Sequence, residues 1–136
     1  PPYTIISQDD FQLMVDNGEA TYMKIPKKQI TNGCLYVAPG TKNIEYISLT
    51  EAKDRIEQFA ENNRNLGNEL YCNGNLKEAL KYFSRTASTS QKADDYARMI
   101  LCGLSRTRKK RICELIRKQG YDPDVLCAEV KDELNR

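Results

Sequence analysis

Residues 66–83, LGNELYCNGNLKEALKYF, constrain the fold more than any other stretch of the chain. Leu66, Gly67, Leu70 and Tyr71 share one helical stripe, Asn73-Gly74-Asn75 interrupts it, and Ala79, Leu80, Tyr82 and Phe83 resume the helical period. The pattern predicts two short antiparallel helices joined by a glycine-marked turn. Gly67 and Ala79 are small enough to let the two backbones approach closely. Such a hairpin cannot bury its apolar face alone, so neighbouring elements must cover it.

Those neighbours are legible on both sides. Ser48 and Glu51 have capping-box spacing. Ala52, Ile56, Phe59 and Ala60 then recur at helical intervals, in a helix that either runs to about Cys72 or breaks near Asn62-Asn63. A second helix is expected over 75–88, and a third from Thr89-Ser90 with the stripe Ala93, Tyr96, Ala97, Ile100, Leu101 and Leu104. Gly103 and Ser105 mark a break, and Ile112, Leu115 and Ile116 carry the apolar phase to Gly120. Asp122-Pro123 opens a last helix with Val125, Leu126, Val130 and Leu134. Before residue 48 the signals are mixed. Ser7 to Gly18 reads either as a helix capped by Ser7, the preferred reading, or as strands about an Asn17-Gly18 turn. ATYMKIP alternates like a strand, Asn32-Gly33 reads as a hairpin turn between 29–31 and 34–37, and 43–47 reads as a last strand. The expectation is an α+β fold: a small N-terminal antiparallel sheet within 1–47, packed with a helical array over 48–136.

Roughly residues 60–93 resemble the tetratricopeptide repeat, a helix–turn–helix unit of about 34 residues. Gly67 takes its small helix-A position, Tyr71 an aromatic one, Gly74 the turn, Ala79 the small helix-B position and Phe83 the following aromatic. Thr86 stands where the family usually has alanine and Gln91 where it often has proline; no second copy of the motif follows. In family members that grip acidic C-termini, a basic residue three before the glycine and an asparagine one after it contact the carboxylate. Arg64 and Asn68 occupy those places. The resemblance implies a groove that takes a partner segment, with Arg64, Asn68 and Lys77 as polar contacts. A solvated polar helix face is the alternative.

The 136 residues are 40% hydrophobic and 29% charged with net charge +2, which fits one globular domain or two small units and demands neither membrane nor nucleic acid globally. No apolar run approaches the ~20 residues of a membrane helix. PPYTIISQDD lacks the basic and apolar regions of a secretory signal, so an intracellular protein, cytoplasmic or nuclear, is expected. Five scattered cysteines, odd in number and without a CxxC pair, read as reduced and mostly buried thiols. The chain has no histidine, which removes Ser-His and Cys-His catalysis and any His-containing zinc site within it. No catalytic residue, metal site or cofactor is assigned, and an enzyme is not expected.

The run RTRKKR places Arg106, Arg108, Lys109, Lys110 and Arg111 within six residues. It reads as a nucleic-acid contact, an import signal or contact with an acidic partner, or a solvated helix face partly neutralised by Asp94, Asp95 and Glu114. No aromatic interleaves it, which argues against base stacking. Tyr22, Tyr36 and Tyr46 fall on expected strands, where they form either one aromatic sheet face or cross-strand packing. The leading functional expectation is a protein–protein adaptor holding a partner protein or peptide in a helical groove, with self-association allowed. RNA binding through residues 106–111 is the runner-up.

Overall fold

The computed structural model describes residues 2–19 and 23–136. The architecture is α+β, with a four-stranded sheet at the N-terminus and an array of helices after it. The chain divides into two compact units, Pro1–Glu57 and Gln58–Arg136.

In the first unit, strand β1 (Tyr3–Ile5) is followed by helix α1 (Gln8–Asp16), β2 (Met23–Lys24), β3 (Gly33–Val37), β4 (Ile44–Ser48) and the first turns of α2 (Leu49–Cys72). Ser7 caps α1 by accepting a hydrogen bond from the Asp10 N–H at 3.1 Å, so the helical reading of this segment holds. The sheet order is β1-β3-β4-β2. β1–β3 and β3–β4 are antiparallel, but β2 runs parallel to β4, so the sheet is mixed rather than antiparallel. Both edges of β3 are taken, by β1 and β4, which leaves β2 only the far edge of β4. The expected strand over 29–31 does not form. Gln8 claims its backbone instead, accepting from the Ile30 N–H at 2.7 Å and donating to the Lys28 carbonyl. β1, which the sequence pattern did not signal, takes the vacant edge of β3. Residues 20–22 of the expected ATYMKIP strand, including Tyr22, lie outside the described residues.

Directly paired residues share a sheet face. Cys34, Tyr36 and Ile47 therefore point one way and pack on Ala52 and Ile56 of α2. Tyr46 points the other way and stacks on Phe11 of α1, ring centroids 5.0 Å apart. Tyr36 and Tyr46 thus lie on opposite faces, each 3% exposed, and no single aromatic face exists among the described residues.

The second unit holds the rest of α2, then α3 (Leu76–Ser90), α4 (Ala93–Leu101), α5 (Arg106–Lys118) and α6 (Pro123–Leu134). α2 does not break at Asn62-Asn63. Gly74, at φ +82°, makes the turn into α3 in a conformation that other residues rarely adopt. A Cβ on Gly67 would stand 2.6 Å from two ring carbons of Phe83, so this glycine is what admits the fully buried Phe83 ring against α2. Thr86 departs from the repeat pattern for a visible reason: it is fully buried and donates its hydroxyl proton to the Ala60 carbonyl at 3.1 Å, tying α3 to α2. Thr89 and Ser90 end α3 instead of starting the next helix. The Thr89 hydroxyl bonds the Arg85 carbonyl one turn back, and Gln91 closes the helix at φ 56°. Asp122 caps α6 as its sequence suggests, and Ser105, read from the sequence as a break, caps α5.

α4 is the hub. It packs on α3, α5 and α6 through a core that includes Phe83, Ala97, Met99, Ile116, Leu126 and Val130. No helix among the described residues is long and apolar enough to cross a membrane.

Candidate functional site

Arg64, Asn68 and Lys77, expected to line one groove, lie on α2 and α3 in different settings. The Arg64 guanidinium donates through Nε and Nη2 to both oxygens of Asp95 on α4, at 2.7 and 2.8 Å. Asp95 is 1% exposed and also accepts from Ser90 Oγ at 2.6 Å and Arg98 Nη1 at 3.2 Å. Burial alone would raise the Asp95 carboxyl pKa. Hydrogen bonds from Arg64 and Ser90, with the charges of Arg64 and Arg98, outweigh it and hold the group below the ordinary carboxylate value. Arg64 is therefore engaged in a bidentate internal ion pair, where the resemblance had it meeting a partner's carboxylate. Asn68 is half-buried, with Oδ1 enclosed and unpartnered. Lys77 is exposed on α3, on the stripe opposite the buried Ala79, Phe83 and Thr86.

α6 lies on α4, and the Cys72 thiol at the end of α2 reaches the Leu134 carbonyl at the end of α6, at 3.3 Å. Leu70, Tyr71 and Leu134 pack against the same core. Cys72 is exposed, not buried as expected, whereas Cys34 and Cys102 are buried; desolvation pushes the Cys102 thiol up to about 11, which makes it inert at neutral pH.

The basic run forms the first turns of α5. Arg106, Lys109, Lys110 and Arg111 are exposed, and among the described residues none of the four is ion-paired to a carboxylate within 4.0 Å. Asp95, counted on from the sequence to neutralise them, is held by Arg64 and Arg98. The first turn of α5 has no acidic residue, so these cations sit against the positive end of the helix dipole with no local relief. Arg108 is half-buried and donates from Nη2 to Ser84 Oγ of α3, at 3.4 Å.

That contact places α5 beside the outward stripe of α3, where Lys77, Lys81 and Arg85 recur at four-residue spacing and are all exposed. Sequence reading had not grouped Lys81 and Arg85 with the basic run, although their spacing was the available signal. Together α3 and α5 carry ten Lys and Arg against two carboxylates, Glu78 and Glu114. In α2 from residue 58, α4 and α6 the balance inverts: Arg64, Arg98 and Lys131 face eight Asp and Glu. The helical unit is thus charge-segregated between two helix sets, which no single stretch of sequence displays.

A cavity of about 390 Å³ in the first unit is lined by residues that include Ile5, Ser7, Gln8, Ile30 and Tyr46. Its ionisable groups are Asp9 and Tyr46, and its Gln8 amide is already bonded to the backbone of 28 and 30. No group of three or more metal-ligating side chains occurs among the described residues. No family model, curated protein or solved structure matches the chain.

Proposed function

We propose that the protein binds nucleic acid through the cationic helix pair α3–α5, with Arg106, Lys110 and Arg111 as principal phosphate contacts and Arg108 fixing α5 against α3. The observation that carries this reading is the ten-to-two excess of cations over carboxylates on two helices joined at Ser84–Arg108. On α3 Lys81 is paired to Glu78 at 2.9 Å, but the exposed Arg106, Lys109, Lys110 and Arg111 of α5 have no carboxylate partner among the described residues and repel one another, and a polyanion relieves that repulsion while releasing counterions. Filter binding of RNA and DNA at several salt concentrations tests it. Log affinity should fall linearly with log salt. Changing Arg106, Lys110 and Arg111 to Gln should weaken binding and make the slope shallower by about 2–3, close to one per lost phosphate contact. A slope unaltered by those changes would remove the reading.

Recognition of a protein partner, the adaptor reading, retains one supporting observation. Leu66, Leu76, Tyr121 and Val125 are exposed apolar side chains of the helical unit, and none lies on α5. Apolar and aromatic anchors of this kind dominate protein interfaces.

A further inference from the structure

We infer that the ligand is a double-stranded nucleic acid held by its phosphate backbone, and that Lys77, Lys81 and Arg85 of α3 form a second row of contacts beside α5. This rests on the reading that α5 contacts phosphates, and it adds both the form of the ligand and a surface outside the basic run.

The chemistry of the two helices favours a duplex over a single strand. Single strands are held by aromatic rings on which bases stack. α5 contains no aromatic residue, and on α3 the half-buried Tyr82 ring is covered by the Arg85 guanidinium, 5.1 Å from its centroid. An acidic peptide would need apolar anchors, yet Leu76, at the first turn of α3, is the one large apolar side chain exposed on either helix among the described residues. What the pair offers is fixed charge. Lys77 to Arg85 spans eight residues, about 12 Å of helix, and Arg106 to Arg117 spans about 16 Å. Both helices pack on α4, and the Arg108–Ser84 hydrogen bond links the two rows. Duplex phosphates follow one another every ~3.4 Å of axis per strand, so each row spans about three to five of them. Besides the cations, the two helices expose Leu76, Glu78, Ser88, Thr107 and Glu114, so phosphate contact dominates what they offer, and such contacts carry no sequence information.

The experiment compares a short mixed-sequence RNA duplex, the DNA duplex of the same sequence, the single-stranded RNA and polyglutamate, by fluorescence anisotropy. Four proteins are used: wild type, the α3 variant K77Q/K81Q/R85Q, a charge-preserving control, K77R/K81R/R85K, and the α5 variant R106Q/K110Q/R111Q. All three α3 positions are exposed, so folding is checked by circular dichroism and an unchanged melt. Wild type should bind at least one duplex about tenfold or more tighter than the single strand. The α3 variant should lose about tenfold in duplex affinity, with a slope shallower by about 2–3, and the control should retain both. RNA and DNA duplexes bound alike mean that the backbone charge alone is read; RNA preferred adds the 2′-hydroxyl, and both outcomes support the inference. If the α5 variant R106Q/K110Q/R111Q loses binding while the α3 variant keeps it, or the single strand binds as well as the duplex, the inference fails and the α5 reading stands. If polyglutamate competes equally or no nucleic acid binds at low salt, both fail.

Discussion

Asp95→Ala is expected to destabilise the protein by about 3–5 kcal/mol, because it strands two guanidinium groups in the helical unit without their counter-charge. Asp95 is the acceptor for Arg64, Arg98 and Ser90 at once, and Arg98 is itself 6% exposed. Breaking a buried pair from one side leaves the other charge desolvated and unpaired, which costs far more than the pair contributes net. The pH dependence follows from the same site. The folded carboxyl titrates below its ordinary value of 3.8, so its contribution is complete above that value and is lost as pH falls through the lower, folded one. Urea unfolding between neutral pH and pH about 2 checks both points. Wild type should lose stability in the acid limb below pH ~4, and Asp95→Asn should start less stable and show a flatter limb. An Asp95→Asn protein as stable as wild type at neutral pH would show that the ion pair does not organise α2 against α4.

Phe83→Ala should cost a comparable amount, about 3–5 kcal/mol, through the cavity left by a fully buried ring. The complementary change is Gly67→Ala. Helix propensity alone would favour alanine by about 1 kcal/mol, but the new methyl meets two carbons of the Phe83 ring at 2.6 Å, and overpacking of that kind costs about 1–3 kcal/mol. A double-mutant cycle separates the two effects. In a Phe83→Leu background the steric clash is relieved, so Gly67→Ala should become neutral or stabilising. Additive effects, with the same cost in both backgrounds, would mean that Gly67 does not act through Phe83.

The helical hairpin was legible because it depends on local spacing: Gly67, Gly74, Ala79 and Phe83 each do in space what their positions suggest. The caps at Ser7 and Asp122 are equally local and equally readable. The sheet was harder. Its order depends on β1, a three-residue strand with no pattern long enough to read, and on a side chain, Gln8, that diverts the backbone at Ile30. The internal pairing of Arg64 was not legible because its partner lies 31 positions away: Asp95 sits where α4 meets Arg64, and no local pattern near Arg64 announces it. The basic run was visible, but its partner row on α3 was not, because the two are joined in the folded chain, at Ser84 and Arg108. The charge segregation is therefore a property of the folded helix set, which gathers the lysines and arginines on two helices linked at Ser84–Arg108.

Amide chemical-shift mapping of the ¹⁵N-labelled protein during titration with a short nucleic-acid duplex tests this claim most directly. The account predicts salt-sensitive shifts concentrated on the outward residues of α3 and the first turns of α5, around Lys77, Lys81, Arg85, Arg106, Lys110 and Arg111. Shifts concentrated on α2, α4 and α6, or none at low salt, would contradict it.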